Sequence, residues 1–228
     1  MSALRKAVAQ TGSMIDNVLP FGRRERNKND KQQRIFAAAA SLFADHGYSA
    51  VTTQQIAALA DVSNGTVFRY AATKAELLLM VYNIEFREAV ETGRRAMADA
   101  GDPAERVVRL ITPLVMQGRV ADENTAVYQR EVLFGEPSER YRAEGRAIAA
   151  ELHSLLVTVL EDAWASARPR GAGHEASDSS LAAHAIFNVV QLEIARSAAE
   201  GISPFQLLAN LERQIGLMMT GFLPNRKK

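Results

Sequence analysis

The sequence predicts an all-α protein of about nine helices, and three observations support that fold class. Apolar residues recur at spacings of three and four over most of the chain after Lys31, which is the period of an amphipathic helix. No segment alternates apolar and polar residues over the length of a strand. Residues that cap helices stand before most of the periodic segments. With 228 residues, the chain is long enough to fold as one or two domains.

The first helix is expected over about 30–46, because the apolar residues of this segment fall on one face. Gly47 follows it and can adopt the left-handed conformation that ends many helices. Thr52 and Gln55 have the spacing of a capping box, so a short second helix is expected to begin after Thr52.

A third helix is expected from Ser63 to about Tyr70. Only the turn 61–63 separates it from the second helix, and Ser63 has the side chain of a helix cap. Thr73 and Glu76 have the spacing of another capping box, which predicts a long fourth helix.

Five more helices are expected beyond Gly101, and Gly and Pro residues separate them. Asp102 caps the first of these, and Pro113 is expected to kink it. The segment 168–177 has the composition of a loop. The expected helices span about 102–118, 123–134, 138–167, 178–200 and 203–222.

The composition excludes several classes of protein. The chain has no Cys, which excludes disulfide scaffolds, thiolate metal sites and thiol nucleophiles. No apolar run approaches the roughly 18 to 20 residues that cross a bilayer, and no export signal follows Arg5 and Lys6. We therefore expect a cytoplasmic protein.

Charge is divided unevenly along a chain whose net charge is only +1. Residues 1–83 hold ten Lys and Arg against six Asp and Glu, a net charge of +4, and the remainder carries −3. The first third is therefore the part suited to a polyanion. A difference of a few charges also arises by chance, so charge alone does not decide the partner.

Two short helices joined by a three-residue turn lie within this basic third, which is the arrangement of a helix-turn-helix DNA reader. Such a turn holds the second helix of the pair across the first, so that the second can enter a major groove. Ile56, Leu59 and Val67 are expected to be buried beneath the pair. The polar face of the third helix is then expected to project outward.

The run VTTQQIAALADVSNGTVFRYAATKAELL, from Val51 to Leu78, resembles the DNA-binding domain of TetR-family transcriptional regulators. The resemblance extends over 31–82 and rests on linked positions, including the Thr-Thr entry, Val-Ser at the turn and Gly-Thr-Val-Phe in the third helix. Tyr70 and Ala71 depart from the family pattern, in which a histidine and an aromatic residue are frequent at these positions.

This resemblance, together with side-chain chemistry, suggests the DNA contacts. Gln54 can reach a base edge, Asn64 can pair with adenine through two hydrogen bonds, and Gly65 lets the backbone approach the DNA. Tyr70 and Lys74 can bind phosphates. The alternative is that these residues are solvated or pack within the protein. The expected DNA contacts are Thr53, Gln54, Ser63, Asn64, Gly65, Thr66, Phe68, Tyr70 and Lys74.

The resemblance implies three regions: an extension at 1–30, a DNA-binding domain at 31–82, and an effector-binding and dimerisation domain at 83–228. The extension contains a basic cluster, which either contacts DNA as an arm or forms a mobile, solvated tail. The cluster consists of Arg23, Arg24, Arg26 and Lys28.

The last two-thirds of the chain contains no catalytic motif, so no enzyme activity, cofactor or metal is expected. Neither His-Glu-x-x-His nor Gly-x-Ser-x-Gly occurs, and no Gly-rich phosphate loop follows a strand. The four His residues lack the spacing of a metal site. A helical carrier or enzyme that retains an unused helix-turn-helix domain is the alternative function.

The last two helices carry more apolar surface than a helix with one buried face needs. The excess predicts a four-helix contact between two subunits, which the TetR resemblance also implies. A homodimer would place two recognition helices about 34 Å apart on a palindromic operator. The alternative is that both helices fill the core of a single chain. The expected interface residues are Phe187, Val190, Ile194, Leu208, Leu211, Ile215 and Met218.

The resemblance further implies a pocket for a small-molecule effector among the middle helices, with the long fourth helix transmitting ligand binding to the DNA-binding domain. The alternatives are that these residues only fill the core, and that the regulator needs no ligand. His153 and Gln191 are the candidate polar contacts. The expected walls are Phe86, Leu110, Leu114, Met116, Tyr128, Val132, Phe134, Leu152, Leu156 and Trp164.

Overall fold

The structure is a computed structural model and describes residues 23–116, 123–136, 138–167 and 176–223. These residues form nine α-helices, one short 3-10 helix and no strand, in agreement with the fold class that the sequence predicts. The 3-10 helix, Met97–Asp99, continues the fourth α-helix. The α-helices are α1 (Arg23–Ala50), α2 (Thr53–Leu59), α3 (Asn64–Phe68), α4 (Lys74–Ala96), α5 (Pro103–Met116), α6 (Glu123–Phe134), α7 (Arg140–Ala167), α8 (Ala176–Glu200) and α9 (Pro204–Phe222).

Helix α1 is longer than its apolar pattern predicts. It begins at Arg23 and continues to Ala50 past a break at Gly47, whose φ of 77° confirms the left-handed conformation. Residues 23–30, for which the sequence leaves a DNA-contacting arm and a mobile tail as alternatives, are helical. Arg, Lys and Glu are residue types that form helix readily. The rest of the extension, 1–22, lies outside the described residues.

The helix caps that the sequence predicts are present, with one exception. Thr52 and Gln55 form both bonds of a capping box, and Ser63 caps α3. Thr73 accepts a hydrogen bond from the amide of Glu76, as expected. The Glu76 carboxylate, however, is bonded to two amides at the start of α7. A tertiary partner has replaced the local one.

The later helices match their expected limits closely. Helix α6 has the expected limits, and α7 and α8 each begin two residues away from the expected position. Asp102 caps α5 through bonds to two amides, and Pro113 is buried inside that helix. Most of the expected loop 168–177 lies outside the described residues. In the part of the chain that the structure describes, no helix has both the length and the hydropathy to cross a membrane.

Two apolar clusters hold the chain together, and α4 belongs to both. The first joins α1, α2 and α3 to the first half of α4 and to parts of α6 and α7, around Ile35, Phe43 and Ile56. The second joins the other half of α4 to α5, α7, α8 and α9, and it includes Val90 and Leu156. Full burial of one such side chain contributes about 1.5–3 kcal/mol. Helix α4 therefore links the helix-turn-helix unit to the rest of the chain.

Helices α4 and α5 approach each other most closely at Gly93. A Cβ atom at this position would lie 2.0 Å from the carbonyl oxygen of Leu110. Because no side chain fits in that space, the packing of the two backbones requires glycine here.

Candidate DNA interface and ligand pocket

The helix-turn-helix unit buries few side chains. Val67 is the buried residue of α3, and Ile56 and Ala57 are those of α2. Leu59, which the sequence predicts as buried, is 58% exposed, because α2 buries only its inner face and ends at this residue. The other residues of α3 are exposed or half-buried, so most of the helix faces away from the core.

Several expected DNA contacts lie on the outer surface of this unit. Gln54, Gly65 and Phe68 are exposed, and Thr53 is half-buried. A Cβ atom at Gly65 would meet no other atom within 4 Å, so the α3 backbone is open to close approach here. The outer face of α3 is therefore open to close contact with a DNA groove.

Ser63 and Thr66 are hydrogen-bonded to each other, whereas Asn64 between them is not. The hydroxyls of Ser63 and Thr66 lie 2.9 Å apart, and Ser63 Oγ accepts from the Thr66 amide. The Oδ1 atom of Asn64 is buried and has no hydrogen-bond partner. Pairing with adenine through both amide atoms would therefore require Asn64 to adopt another rotamer.

Tyr70 and Lys74, the two expected phosphate contacts, are hydrogen-bonded within the protein. The Tyr70 hydroxyl donates to the Lys28 carbonyl at 3.0 Å. Lys74 Nζ donates to the carbonyls of Tyr48 and Val51, at 2.8 and 2.9 Å. It also lies 4.1 Å from the centroid of the Tyr48 ring. Both side chains support the fold of the helix-turn-helix unit.

A pocket of about 690 Å³, counting the part open to solvent, lies between α4, α5, α6 and α8. Five expected residues line it, namely Phe86, Leu114, Tyr128, Val132 and Gln191. Its other lining residues are Tyr82, Glu85, Ala89, Pro113, Thr125, Gln129 and Ile194. Tyr82, Glu85, Phe86 and Ala89 have helical spacing on one face of α4, which is a signal that the sequence contained. Gln129 donates to Gln191 Oε1 at 3.1 Å on the same wall.

The remaining expected pocket residues lie elsewhere. Leu110, Leu152 and Leu156 are buried in the second apolar cluster, because their helices also pack against one another away from the pocket. Trp164 packs on Phe222, with ring centroids 5.6 Å apart. Met116 and Phe134 are exposed at 37% and 82%, since each stands at the end of its helix.

His153 is also outside the pocket, in the contact between α7 and α8. Its Nε2 lies 3.1 Å from Nδ1 of His184, and the two ring centroids are 4.0 Å apart. His184 Nδ1 also lies 2.9 Å from the Ser180 carbonyl oxygen. Burial, followed by the charge of His184, lowers the pKa of His153 below its ordinary value.

The expected dimer interface is largely inside the chain. Val190, Ile194, Leu211 and Ile215 are buried in the second apolar cluster, so they cannot contact another subunit. Phe187, Leu208 and Met218 are half-buried against the same cluster. The four buried residues lie on the core-facing sides of α8 and α9, and burial in a core and burial in an interface favour the same residue types. The outward apolar residues are Leu181 and Leu192 on α8 and Phe205 and Leu217 on α9, all between 67% and 76% exposed.

Glu76 connects α4 with the start of α7. Its two carboxylate oxygens accept from the amides of Tyr141 and Arg142, at 2.9 and 3.0 Å. Burial raises the pKa of Glu76, while these two N–H groups act against the rise by stabilising the carboxylate. An anionic cap at a helix N-terminus is electrostatically favourable, so the contact holds the two helices in a fixed relation.

A second connection joins α1 to the start of α6. The Asn124 side chain donates to the Phe43 carbonyl at 2.8 Å, and Glu123 accepts from the Ser49 amide at 3.1 Å. The Ser49 hydroxyl also donates to Glu123. The hydrogen bonds from Ser49 lower the pKa of Glu123.

A comparison with known families identifies the helix-turn-helix unit. The family described as "Bacterial regulatory proteins, tetR family" matches residues 35–81, which include α2, α3 and the turn between them. This match places the helix-turn-helix unit in the tetR family. Among the curated relatives of this chain, the transcriptional repressor KstR of Mycobacterium tuberculosis is 29% identical over 156 residues, which cover 61% of this chain and 70% of KstR.

Solved tetR-family structures share the fold over most of the chain. Thermus thermophilus FadR, a transcriptional repressor in complex with lauroyl-CoA, superposes with a TM-score of 0.62 and 24% identity over 86% of this chain and 97% of FadR. Bacillus subtilis FadR in complex with stearoyl-CoA superposes with a TM-score of 0.62 and 20% identity over 83% of this chain and 98% of that FadR. The likeness in fold therefore extends well beyond the DNA-binding unit.

Proposed function

We propose that this tetR-family protein is a homodimeric transcriptional repressor that binds a palindromic operator and releases it when an apolar small molecule binds. The observation that carries the proposal is the position of α4, which packs against the helix-turn-helix unit at one end and lines the pocket further along. We assign 31–82 to DNA binding and 83–228 to effector binding and dimerisation.

The outer surface of α2 and α3 is the proposed DNA-reading surface. The exposure of Gln54, Gly65 and Phe68 supports this assignment, with Thr53, Ser63, Asn64 and Thr66 beside them. The basic start of α1 adds positive charge, and the bond from Tyr70 to Lys28 holds that start close to the end of α3. Lys and Arg at such a position favour contact with phosphates.

The pocket is the proposed effector site. Its lining is mostly apolar, with a few polar side chains, as is typical of small-molecule sites. An open pocket supports a ligand-responsive regulator over one that acts by DNA occupancy alone. The FadR proteins in complex with lauroyl-CoA and stearoyl-CoA make acyl-CoA esters the first candidates to test. Glu85 is the charged residue in the described lining, so we propose that the anionic CoA part would remain outside.

The outward faces of α8 and α9 are the proposed dimer interface. Four large apolar side chains are exposed there, namely Leu181, Leu192, Phe205 and Leu217. Several large apolar side chains exposed on neighbouring helices are more typical of an interface than of a solvated surface. Pairing the two faces across a two-fold axis would form the four-helix contact.

The decisive test is selection of bound sequences from random duplex DNA with the full chain. A two-fold symmetric consensus is expected, because two α3 helices of a dimer would read equivalent half-sites. Lauroyl-CoA is then added to the complex with the selected DNA, and release is expected. Enrichment of no sequence at low salt would contradict the proposal, because non-specific attraction is strongest under those conditions.

Gly65→Ala tests the DNA-reading surface. The added methyl group occupies space that the α3 backbone leaves open, so operator affinity is expected to fall about tenfold or more, as for the loss of a base contact. Folding stability should not fall, because Ala is the better helix residue. Gly101→Ala is the matched control, since a Cβ there also meets no atom within 4 Å. Equal operator affinity of the two variants would contradict the assigned surface.

A further inference from the structure

We infer that Asn83 is a positioning residue that connects the ligand pocket to the DNA-binding domain, through hydrogen bonds to Tyr128 on one side and Tyr141 on the other. The inference rests on the proposed function, because it describes how the same pocket acts on the same DNA surface. Asn83 lies on α4 and is 1% exposed.

On the pocket side, the connection begins at Tyr128. This residue lines the pocket, and its hydroxyl donates to Asn83 Oδ1 at 3.0 Å. Its ring lies against the rings of Tyr82 and Phe86, with centroids 5.9 and 5.8 Å away, and both of these also line the pocket. A molecule that enters the pocket therefore meets the aromatic group whose hydroxyl holds Asn83.

On the DNA side, the connection reaches the first turn of α7. Asn83 Nδ2 donates to the Tyr141 carbonyl at 2.8 Å. The amide of Tyr141 donates to Glu76, and its hydroxyl accepts from Gln32 of α1 at 3.4 Å. Tyr141 is thus held by α1, by the first turn of α4 and by Asn83.

The orientation of the Asn83 amide group is fixed by its partners. A carbonyl can only accept, so Nδ2 must face Tyr141 and Oδ1 must face Tyr128. If the Tyr128 hydroxyl moves, Oδ1 is left without a partner in a buried site, which is costly. Asn83 must then turn or shift, and its bond to Tyr141 changes with it. Occupation of the pocket and the position of the α7 start are linked in this way.

Gly145 gives the Asn83 side chain the space it occupies. This glycine lies one helical turn after Tyr141, and a Cβ atom there would be 2.9 Å from Asn83 Oδ1 and 3.5 Å from the Tyr128 hydroxyl. Val132 Cγ2 would also lie 2.9 Å from this Cβ atom, so Gly145→Ala would displace Asn83 or Val132, both next to Tyr128, without a ligand. The expected result is a several-fold loss of operator affinity in the ligand-free protein.

Residue-resolved hydrogen exchange of the ligand-free full chain tests the inference without DNA. Tyr128→Phe removes one hydroxyl and keeps the ring. The amides of Tyr141 and Arg142, which are bonded to Glu76, are expected to exchange about tenfold faster, corresponding to one lost buried hydrogen bond. Unchanged exchange at both amides would overturn the inference.

Asn83→Ala and Asn124→Ala form a matched pair. Both asparagines are 1% exposed, and each donates Nδ2 to a backbone carbonyl at 2.8 Å. After correction for changes in the free energy of unfolding, only Asn83→Ala is expected to speed exchange at Tyr141 and Arg142. Equal effects of the two variants would show a merely structural role and overturn the inference.

The outcomes also separate the inference from the proposed function. Faster exchange at Tyr141 in a protein that selects no DNA would support the connection and contradict the proposed function. Unchanged exchange at Tyr141 in a protein that binds its operator would contradict the connection and support the proposed function.

Discussion

Lys74 shows how a single side chain supports the proposed DNA-reading surface without lying on it. Its Nζ bonds to the carbonyls of Tyr48 and Val51 and lies over the Tyr48 ring, so it holds the segment between α1 and α2. Hydrogen bonds that involve a charged group contribute about 1.5–3 kcal/mol each to stability. The position of α2, and with it Gln54, therefore depends on Lys74.

Lys74→Met is expected to lower the free energy of unfolding by about 3 kcal/mol or more, because two carbonyls lose a charged donor. Urea denaturation of the purified protein measures this change. Lys31→Met, at an exposed position of α1, is the control and should stay within about 0.5 kcal/mol of the unsubstituted protein. Equal stability of the two variants would mean that Lys74 does not support the segment.

Residue roles could be predicted from the sequence where the partner is local. The caps at Thr52 and Ser63 depend on amides three residues away, so spacing alone reveals them. Tyr70, Lys74 and Glu76 have partners 42, 26 and 65 residues away, and those partners are backbone groups that every residue possesses. No pattern of residue types can indicate such bonds before the fold is known.

At the scale of helices, the contact between α7 and α8 contains a pair of titratable rings. His153 and His184 are in hydrogen-bond contact. The ring centroids of His153 and Phe187 are 6.5 Å apart. The lowered pKa of His153 means that the folded protein binds a proton there less readily than the unfolded chain. The free energy of unfolding is therefore expected to decrease as the pH falls below the ordinary pKa of His, about 6.5.

Lowering the pH from about 7.5 to 5.5 should therefore reduce the thermal unfolding midpoint more in the unsubstituted protein than in His153→Gln. Gln keeps a polar side chain at this position but does not titrate. His46→Gln, at an exposed position in α1, should retain the pH dependence of the unsubstituted protein. A His153→Gln protein with that same dependence would contradict this prediction.

Helix limits could also be predicted well, whereas the faces of α8 and α9 could not. Helical periodicity reveals that α8 has apolar residues on two sides. It does not distinguish Ile194, which lines the pocket, from Leu192, which is 68% exposed. Burial inside a chain and burial between two chains favour the same residue types.

For the whole molecule, the exposed apolar residues of α8 and α9 determine the proposed assembly. Leu192 and Leu217 are 68% and 76% exposed in the single chain. Contact between two such faces would remove these side chains from water, and the DNA-binding units of both subunits would then be held at a fixed separation. Operator binding as proposed needs that separation.

Leu192→Glu and Leu217→Glu are each expected to shift the protein from dimer to monomer, because dimerisation would bury an unpaired charge. Sedimentation velocity measures the shift, and circular dichroism confirms that each chain stays helical. Leu133→Glu, at an exposed position of α6, is the control and should leave the oligomeric state unchanged. Dimers that persist in both α8 and α9 variants would place the interface elsewhere.

The close approach at Gly93 limits how the molecule can respond to a ligand. With the α4 backbone seated against the Leu110 carbonyl, α4 has no clearance to slide along α5. The two helices can pivot together about this point, as a lever does about its fulcrum. The pocket-lining residues of α4, 82–89, and the helix-turn-helix unit both lie on the N-terminal side of this point. A ligand that wedges between α4 and α6 would then swing that end of α4, and the helix-turn-helix unit with it.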